Sequence, residues 1–229
     1  MGGKHLFLFG GSPPFTKGMA KQFADMVLAR GSYVAVLVVE REGWEQYMPR
    51  YIQALVGLGV SEFRNLPLPS VRVEQATEVI RGSAGVVIGG GDTNQYADYI
   101  VGTAISDAIK ERYEAGVPVA GFSAGALLST EACVISAKDN MEEEFQHRLG
   151  LGLLSDVVVA VHFSEWGDEA HLREAFEKFG DRYSYYGIDE NTGMYFRNGQ
   201  LGDVEGKGVC ALEGDRLQRI ARVPGTNAT

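Results

Sequence analysis

Short apolar runs with no polar alternation recur along the first half of the chain, each followed by a stretch of helical period. His5–Phe9 is the first, and residues 33–39 form a second, rich in β-branched side chains. Residues 84–88 and 117–121 add two more, and Phe63–Leu66 reads as a short strand. Between them lie a helical pattern through Met19, Phe23, Met26 and Val27, a second helix closing over 53–58, a third over 74–80 and one long helix from about 94 to 114. A strand with one wet face would alternate polar and apolar residues, so strands of this kind must be covered on both faces. Gly31, Gly82 and Gly116 stand where a helix hands over to a strand. The predicted fold is α/β, a doubly wound, mostly parallel sheet. After about Tyr183 the texture changes. Asn198-Gly199 and Gly214-Asp215 join short runs there and predict hairpins in a small antiparallel C-terminal region. No linker, repeat or low-complexity tract interrupts the chain, so residues 1–229 are read as a single domain.

Composition excludes several function classes. With 21 Lys and Arg against 30 Asp and Glu, the formal charge is −9, and no cationic excess exists to displace counterions from a phosphate backbone. Nucleic acid is therefore not an expected partner. Two cysteines, Cys133 and Cys210, cannot build a disulfide framework or a structural zinc cluster. No pair of His, Cys or carboxylate residues shows metal-ligand spacing, so neither a metal nor a cofactor is expected. No apolar run approaches the roughly 18 residues of a membrane span. The apolar stretch after Met1 soon meets Gly10-Gly11, too early for a secretory leader. The expectation is a cytoplasmic protein with no membrane partner, in which the sequon Asn227-Ala228-Thr229 carries no glycan; a homodimer is left open.

The sharpest chemical signal is Gly121-Phe122-Ser123-Ala124-Gly125, where an apolar strand meets a helix of small residues. This context puts one hydroxyl on a tight strand-to-helix turn and aims the Ala124 amide at any oxyanion formed there. The competing interpretation is a structural turn with a capping serine. A second cluster, Gly89-Gly90-Gly91-Asp92, again ends a strand and could supply the other half of an oxyanion hole. It lacks the lysine and the spacing of a phosphate loop. Asp92 and Gln95 are counted among the substrate-binding residues.

Four histidines could serve as base. His5 opens the first strand, the wrong end of a parallel sheet for chemistry. His171 reads as a solvated helix residue within Glu169–Phe179, and His147 as part of an exposed acidic loop. His162 ends the apolar run 157–161 and is the best placed general base. For the carboxylate that would orient it, Glu190 at the end of a short strand is preferred, with Asp139 and Asp156 as rivals.

Gly121-Phe122-Ser123-Ala124-Gly125-Ala126 together with Gly89-Gly90-Gly91-Asp92 resembles the serine peptidase family of peptidase E (aspartyl dipeptidase) and cyanophycinase. The segments 149–154, His162-Phe163-Ser164 and 187–192 are similar to the cyanophycinase branch, and the matches run in order from about residue 80 to 195. The resemblance implies a fold related to class I glutamine amidotransferases. It also implies a triad of Ser123, His162 and Glu190, with an oxyanion hole at Gly90 and Ala124. Asp139 and Glu142 stay open as the acid, because the segment after the elbow helix supplies it in some accounts of the family. The chain departs from the cyanophycinase branch at Ala160-Val161, where that branch has an acidic and an amide residue. It departs again at Glu165-Trp166-Gly167-Asp168, where that branch carries arginines.

The expected activity is hydrolysis of a small peptide or isopeptide bond next to an aspartyl residue, through an acyl-enzyme. A substrate carboxylate needs a cation, for which Arg173, Arg148 and Lys138 are the candidates. Asp92, Glu165 and Asp168 would favour a basic group on the same substrate, with Trp166 offering an aromatic face. An esterase of the α/β-hydrolase type orders its triad serine, acid, histidine, but no histidine follows His171. A glutaminase would need a thiol at position 123. A non-catalytic ligand-binding relative of the same fold is the remaining alternative.

Overall fold

The apolar runs at 5–9, 33–39, 84–88 and 117–121 hold strands that are buried on both sides, while the strand at 63–68 exposes Arg64 and Asn65. The computed structural model describes residues 3–11 and 13–220; the sequon Asn227-Ala228-Thr229 and the first two residues fall outside them. The chain runs β1 (His5–Phe9), α1 (Lys17–Leu28), β2 (Val34–Val39), α2 (Trp44–Val56), β3 (Phe63–Leu68), α3 (Val73–Gly82) and β4 (Gly85–Ile88). It continues through α4 (Thr93–Ile100), α5 (Ala104–Glu114), β5 (Val119–Phe122), α6 (Ala124–Ser129), β6 (Ala132–Ile135) and β7 (Gln146–Leu149). The last part is β8 (Val157–Val161), α7 (Phe163–Trp166), α8 (Glu169–Phe179), β9 (Ser184–Ile188), β10 (Gly193–Arg197), β11 (Gln200–Glu205), β12 (Val209–Glu213) and β13 (Arg216–Ile220).

A seven-stranded sheet has the order β11-β10-β1-β5-β4-β2-β3. Its β1, β5, β4, β2 and β3 are parallel, as the non-alternating runs predict. Alternate residues of β2 divide between the two faces. Val34, Val36 and Val38 pack with Phe23 and Val27 of α1 and with Met48, Tyr51 and Leu55 of α2. Ala35, Leu37 and Val39 pack with Ile80 of α3, Tyr96 and Ile100 of α4 and Ile105 of α5. Each fully buried Leu, Ile, Val or Phe contributes about 1.5–3 kcal/mol over its exposed state, so this double cover is the main source of the sheet's stability.

One expectation needs correction. The long helix over 94–114 is two helices, because Gly102 takes φ 72° and Thr103 caps the second through Ile105 N–H. The C-terminal hairpins are antiparallel, as predicted, and divide between two sheets. β10 pairs antiparallel with β1 and carries β11, extending the main sheet, while the hairpin β12–β13 pairs with β9. The turns themselves fall where predicted: Asn198 and Gly199 both have positive φ, as does Gly214.

A second sheet, β13-β12-β9-β8, has β8 and β9 parallel with Val161 opposite Ile188. The residues just beyond these two strands, His162 and Asp189-Glu190, therefore emerge side by side. β6 and β7 form a separate two-stranded pair, which places His147 on an exposed strand rather than in a loop. Among the described residues, no helix is long and apolar enough to cross a membrane.

Candidate active site

The end of β1 joins the two sheets. The carbonyl of Phe9 accepts the Ser123 N–H at 2.9 Å, and the next carbonyl, Gly10, accepts the His162 N–H at 2.6 Å. Consecutive peptide units thus fix two residues that lie on different sheets. A Cβ on Gly10 would lie 2.1 Å from the carbonyl oxygen of Ile188, so only glycine lets the end of β9 approach this closely. In the sequence, Gly10-Gly11 ends an apolar run. Its position after a buried strand was the signal for a close approach.

Ser123 has φ 49° and ψ −112°, a conformation that costs a non-glycine residue on the order of 1–3 kcal/mol. The turn is that tight because α6 begins directly above β5. A Cβ on Gly121 would meet the Gly125 carbonyl oxygen at 2.3 Å, and one on Gly125 the Ile88 carbonyl oxygen at 2.2 Å. Both flanking glycines are thus required by close backbone packing. The strain lifts the Ser123 side chain to the C-terminal end of the sheet, where ligands bind in open α/β folds.

Three predicted residues form one hydrogen-bonded chain. Ser123 Oγ lies 2.9 Å from His162 Nε2, and His162 Nδ1 lies 2.8 Å from Glu190 Oε1. Ser123 and His162 are 8% and 9% exposed, while the Glu190 side chain is 42% exposed. His162 has φ 49° and caps α7, so the helix folds back and stacks Trp166 on the imidazole at 4.4 Å between ring centres. One face of Trp166 is therefore occupied by His162 and not open to a guanidinium. Two of the rival acids sit elsewhere. Asp156 is exposed at the opposite end of β8, and the carboxylate of exposed Glu142 accepts from Gln146.

Ser123 and His162 line a cleft of about 320 Å³ with Arg41, Tyr51, Gly90, Gly91, Asp92, Asp139 and Trp166. Asp139 belongs to this cleft but accepts from Thr93 Oγ1 at 3.1 Å. Burial pushes its carboxyl up to about 6, against the pull of the Thr93 hydroxyl and His162 and with help from Asp92 and Asp168. A carboxyl whose folded pKa is raised binds its proton more tightly in the native state, so stability falls as pH rises from about 4 to about 6. Asp139→Asn should match the wild type below pH 4 and exceed it by about 2 kcal/mol above pH 6. Urea unfolding at pH 4 and pH 8 measures this, and a gap that does not open with pH counts against it.

Other expected pairings need revision. Asp92 caps α4 through Gln95 N–H at 2.9 Å, and the Gln95 side chain folds onto Asp92 rather than lining the cleft. Arg173 lies outside the cleft because Glu169, one turn earlier on α8, holds it at 2.7 Å. Arg148 is taken by Asp98 and Asn94, and Lys138 by Asp168 and the Trp166 carbonyl. Glu165 is turned to Lys207 and the Glu190 N–H, and Asp168 is buried, so of the three proposed carboxylates only Asp92 lines the cleft. His171 is buried against Phe145, and burial lowers its pKa, contrary to the expected solvated position. The predicted oxyanion donor Gly90 already has a partner, since its N–H donates to Tyr51 Oη at 2.7 Å. Ala124 is the first residue of α6, where a helix N–H has no partner within the helix.

Residues 16–204 match Peptidase family S51. The chain belongs to that family. Among curated proteins, the S51 chain is 23% identical over 171 residues to a cyanophycinase of Geminocystis herdmanii (strain PCC 6308), covering 71% of this chain and 62% of that one. It is 28% identical over 171 residues to a cyanophycinase of Trichormus variabilis (strain ATCC 29413 / PCC 7937), covering 71% and 57%. It thus spans about three fifths of the length of these relatives. A peptidase from an acI-B1 Actinobacterium superposes with a TM-score of 0.74 at 23% identity, over 96% of both chains. A putative peptidase E protein of Listeria monocytogenes EGD-e gives 0.57 at 20% identity, over 96% of this chain and all of that one. Both are similar in fold.

Proposed function

We propose that this S51 chain is a serine hydrolase that cleaves a small peptide or isopeptide bond next to an aspartyl residue. The observation that carries the proposal is the hydrogen-bonded chain from Ser123 through His162 to Glu190. Glu190 accepts from Nδ1–H and so leaves the lone pair of Nε2 facing Ser123. Nε2 takes the Oγ proton as Oγ attacks the carbonyl carbon, and gives it to the departing amine as the C–N bond breaks. Water then repeats the cycle on the acyl-enzyme. Two free, buried cysteines suit a reducing cytoplasmic setting.

Arg41 supports the aspartyl preference. It follows β2 at the rim of the cleft, stacks on Tyr47 at 5.4 Å and has no carboxylate partner among the described residues. A cation without a carboxylate partner, lining the same cleft as Ser123, is suited to a substrate carboxylate. Matched aspartyl and asparaginyl dipeptides, in α and β linkage, test this directly because they differ in charge and hardly in size. The aspartyl member should have kcat/KM higher by about 10- to 100-fold, the range of one charge-assisted hydrogen bond. Arg41→Gln should reduce that ratio to near one. Equal rates for the two dipeptides in the wild type would overturn the preference and leave the hydrolase proposal standing.

A further inference from the structure

Tyr51 has no role in the mechanism described above, yet its hydroxyl lies in the cleft with Ser123. The ring is fixed on α2, 2% exposed, and packs edge-on against Phe122 at 5.2 Å and Tyr47 at 5.7 Å. Its oxygen accepts the Gly90 N–H at 2.7 Å, and this is its one hydrogen bond among the described residues, none of which accepts the phenol proton. A Cβ built on Gly90 would stand 3.4 Å from Ser123 Cβ and 3.5 Å from Tyr51 Oη, so hydroxyl and nucleophile border the same small space.

We infer that Tyr51 is a catalytic residue, its phenol donating to the oxyanion together with the Ala124 N–H, while the Gly90 amide acts one bond further back. The inference rests on Ser123 being the nucleophile. As the Oγ–carbon bond forms, the carbonyl π pair moves onto oxygen and the Oγ proton passes to His162. Tyr51 keeps its proton throughout and only donates a hydrogen bond. Donation from Gly90 into the phenol oxygen polarises the O–H and strengthens it as a donor, as linked hydrogen bonds do. Burial pushes the Tyr51 hydroxyl up to about 12, the Gly90 hydrogen bond opposing this, so the group remains a neutral donor at neutral pH. The geometry also explains why a glycine whose amide is already occupied can stand beside the nucleophile. The tyrosine carries the donor forward from the backbone.

Tyr51→Phe separates this role from its rival, in which Tyr51 merely occupies Gly90. The variant keeps the ring packing and frees the Gly90 N–H. Labelling by a fluorophosphonate forms a bond from Oγ to phosphorus, expels fluoride and places the phosphoryl oxygen in the oxyanion position. If Tyr51 is the donor, the labelling rate should fall by about 10²-fold, the loss seen when one oxyanion donor is removed. A fall of less than about tenfold, or a rise as Gly90 takes over, overturns the inference and leaves the serine nucleophile intact. Ser123→Ala, run in parallel, should abolish the label; label that persists removes the nucleophile and the Tyr51 role with it. Should the Phe variant fail to fold, 3-fluorotyrosine at position 51 keeps the Gly90 hydrogen bond and makes a stronger donor. Faster labelling supports the role, and an unchanged or slower rate overturns it.

Discussion

Ser123→Ala is expected to lower turnover by about 10³-fold or more while costing the fold about 1 kcal/mol or less. The large effect follows from the hydrogen-bonded chain. In the proposed mechanism, without Oγ, His162 has no nucleophile to deprotonate, and only binding and the oxyanion donors remain to accelerate hydrolysis. The small effect follows from what holds the turn. Its backbone is fixed by the Ser123 N–H on Phe9 and by the glycines on either side, none of which involves the hydroxyl. Alanine removes the 2.9 Å hydrogen bond to His162, worth about 1 kcal/mol net. At φ 49° it bears much the same backbone strain as serine. Turnover of the preferred dipeptide, measured beside a urea melt of the same preparation, tests both halves. Near-normal turnover would eliminate Ser123 as nucleophile, and a melt shifted by several kcal/mol would mean that the hydroxyl also holds the turn.

The parts of this arrangement that were legible in the sequence are those set by local chemistry. β2 was readable because all six of its residues are buried, a consequence of helices on both faces. The elbow was readable because close backbone packing leaves only glycine at 121 and 125. His162 and Glu190 could be paired because each follows a short strand, and parallel neighbours deliver their ends to one place. Arg41 and Tyr51 were not readable. They reach the cleft from β2 and α2 only because the strand order sets β2 next to β4, and β4 next to β5, an arrangement made by tertiary packing. The pairing of Arg173 is legible in the sequence, since Glu169 stands four residues earlier on the same helix face. His171 misleads for a related reason. It belongs to the buried face of α8 with Leu172 and Ala175, which pack on the second sheet, and a single polar residue in an apolar face is easily taken for a solvated one.

Glu190→Gln should cost about 10³-fold in kcat, and Asp139→Asn less than about tenfold. Both carboxyls stand near His162, but they relate to it differently. Glu190 Oε1 is 2.8 Å from Nδ1, so in the proposed mechanism the carboxylate selects the tautomer that leaves Nε2 free and stabilises the imidazolium formed as Oγ attacks. A glutamine can turn its NH₂ toward Nδ1, which places the ring proton on Nε2 and leaves no base facing Ser123. A buried acid lost in this way costs about 10⁴-fold in a serine protease triad. Water can partly replace the Glu190 carboxylate, whose side chain is 42% exposed, so the loss here should be smaller. Asp139 acts on His162 only through space, its oxygen being bonded to Thr93, and amide replacement leaves the tautomer untouched. Steady-state kinetics of the two amide variants decides between the acids. A large loss from Asp139→Asn with a small one from Glu190→Gln would move the acid to the segment after the elbow helix. Losses of about 10³-fold from both would mean that the imidazolium depends on two carboxylates, one oriented by direct hydrogen bonding and one acting across the cleft.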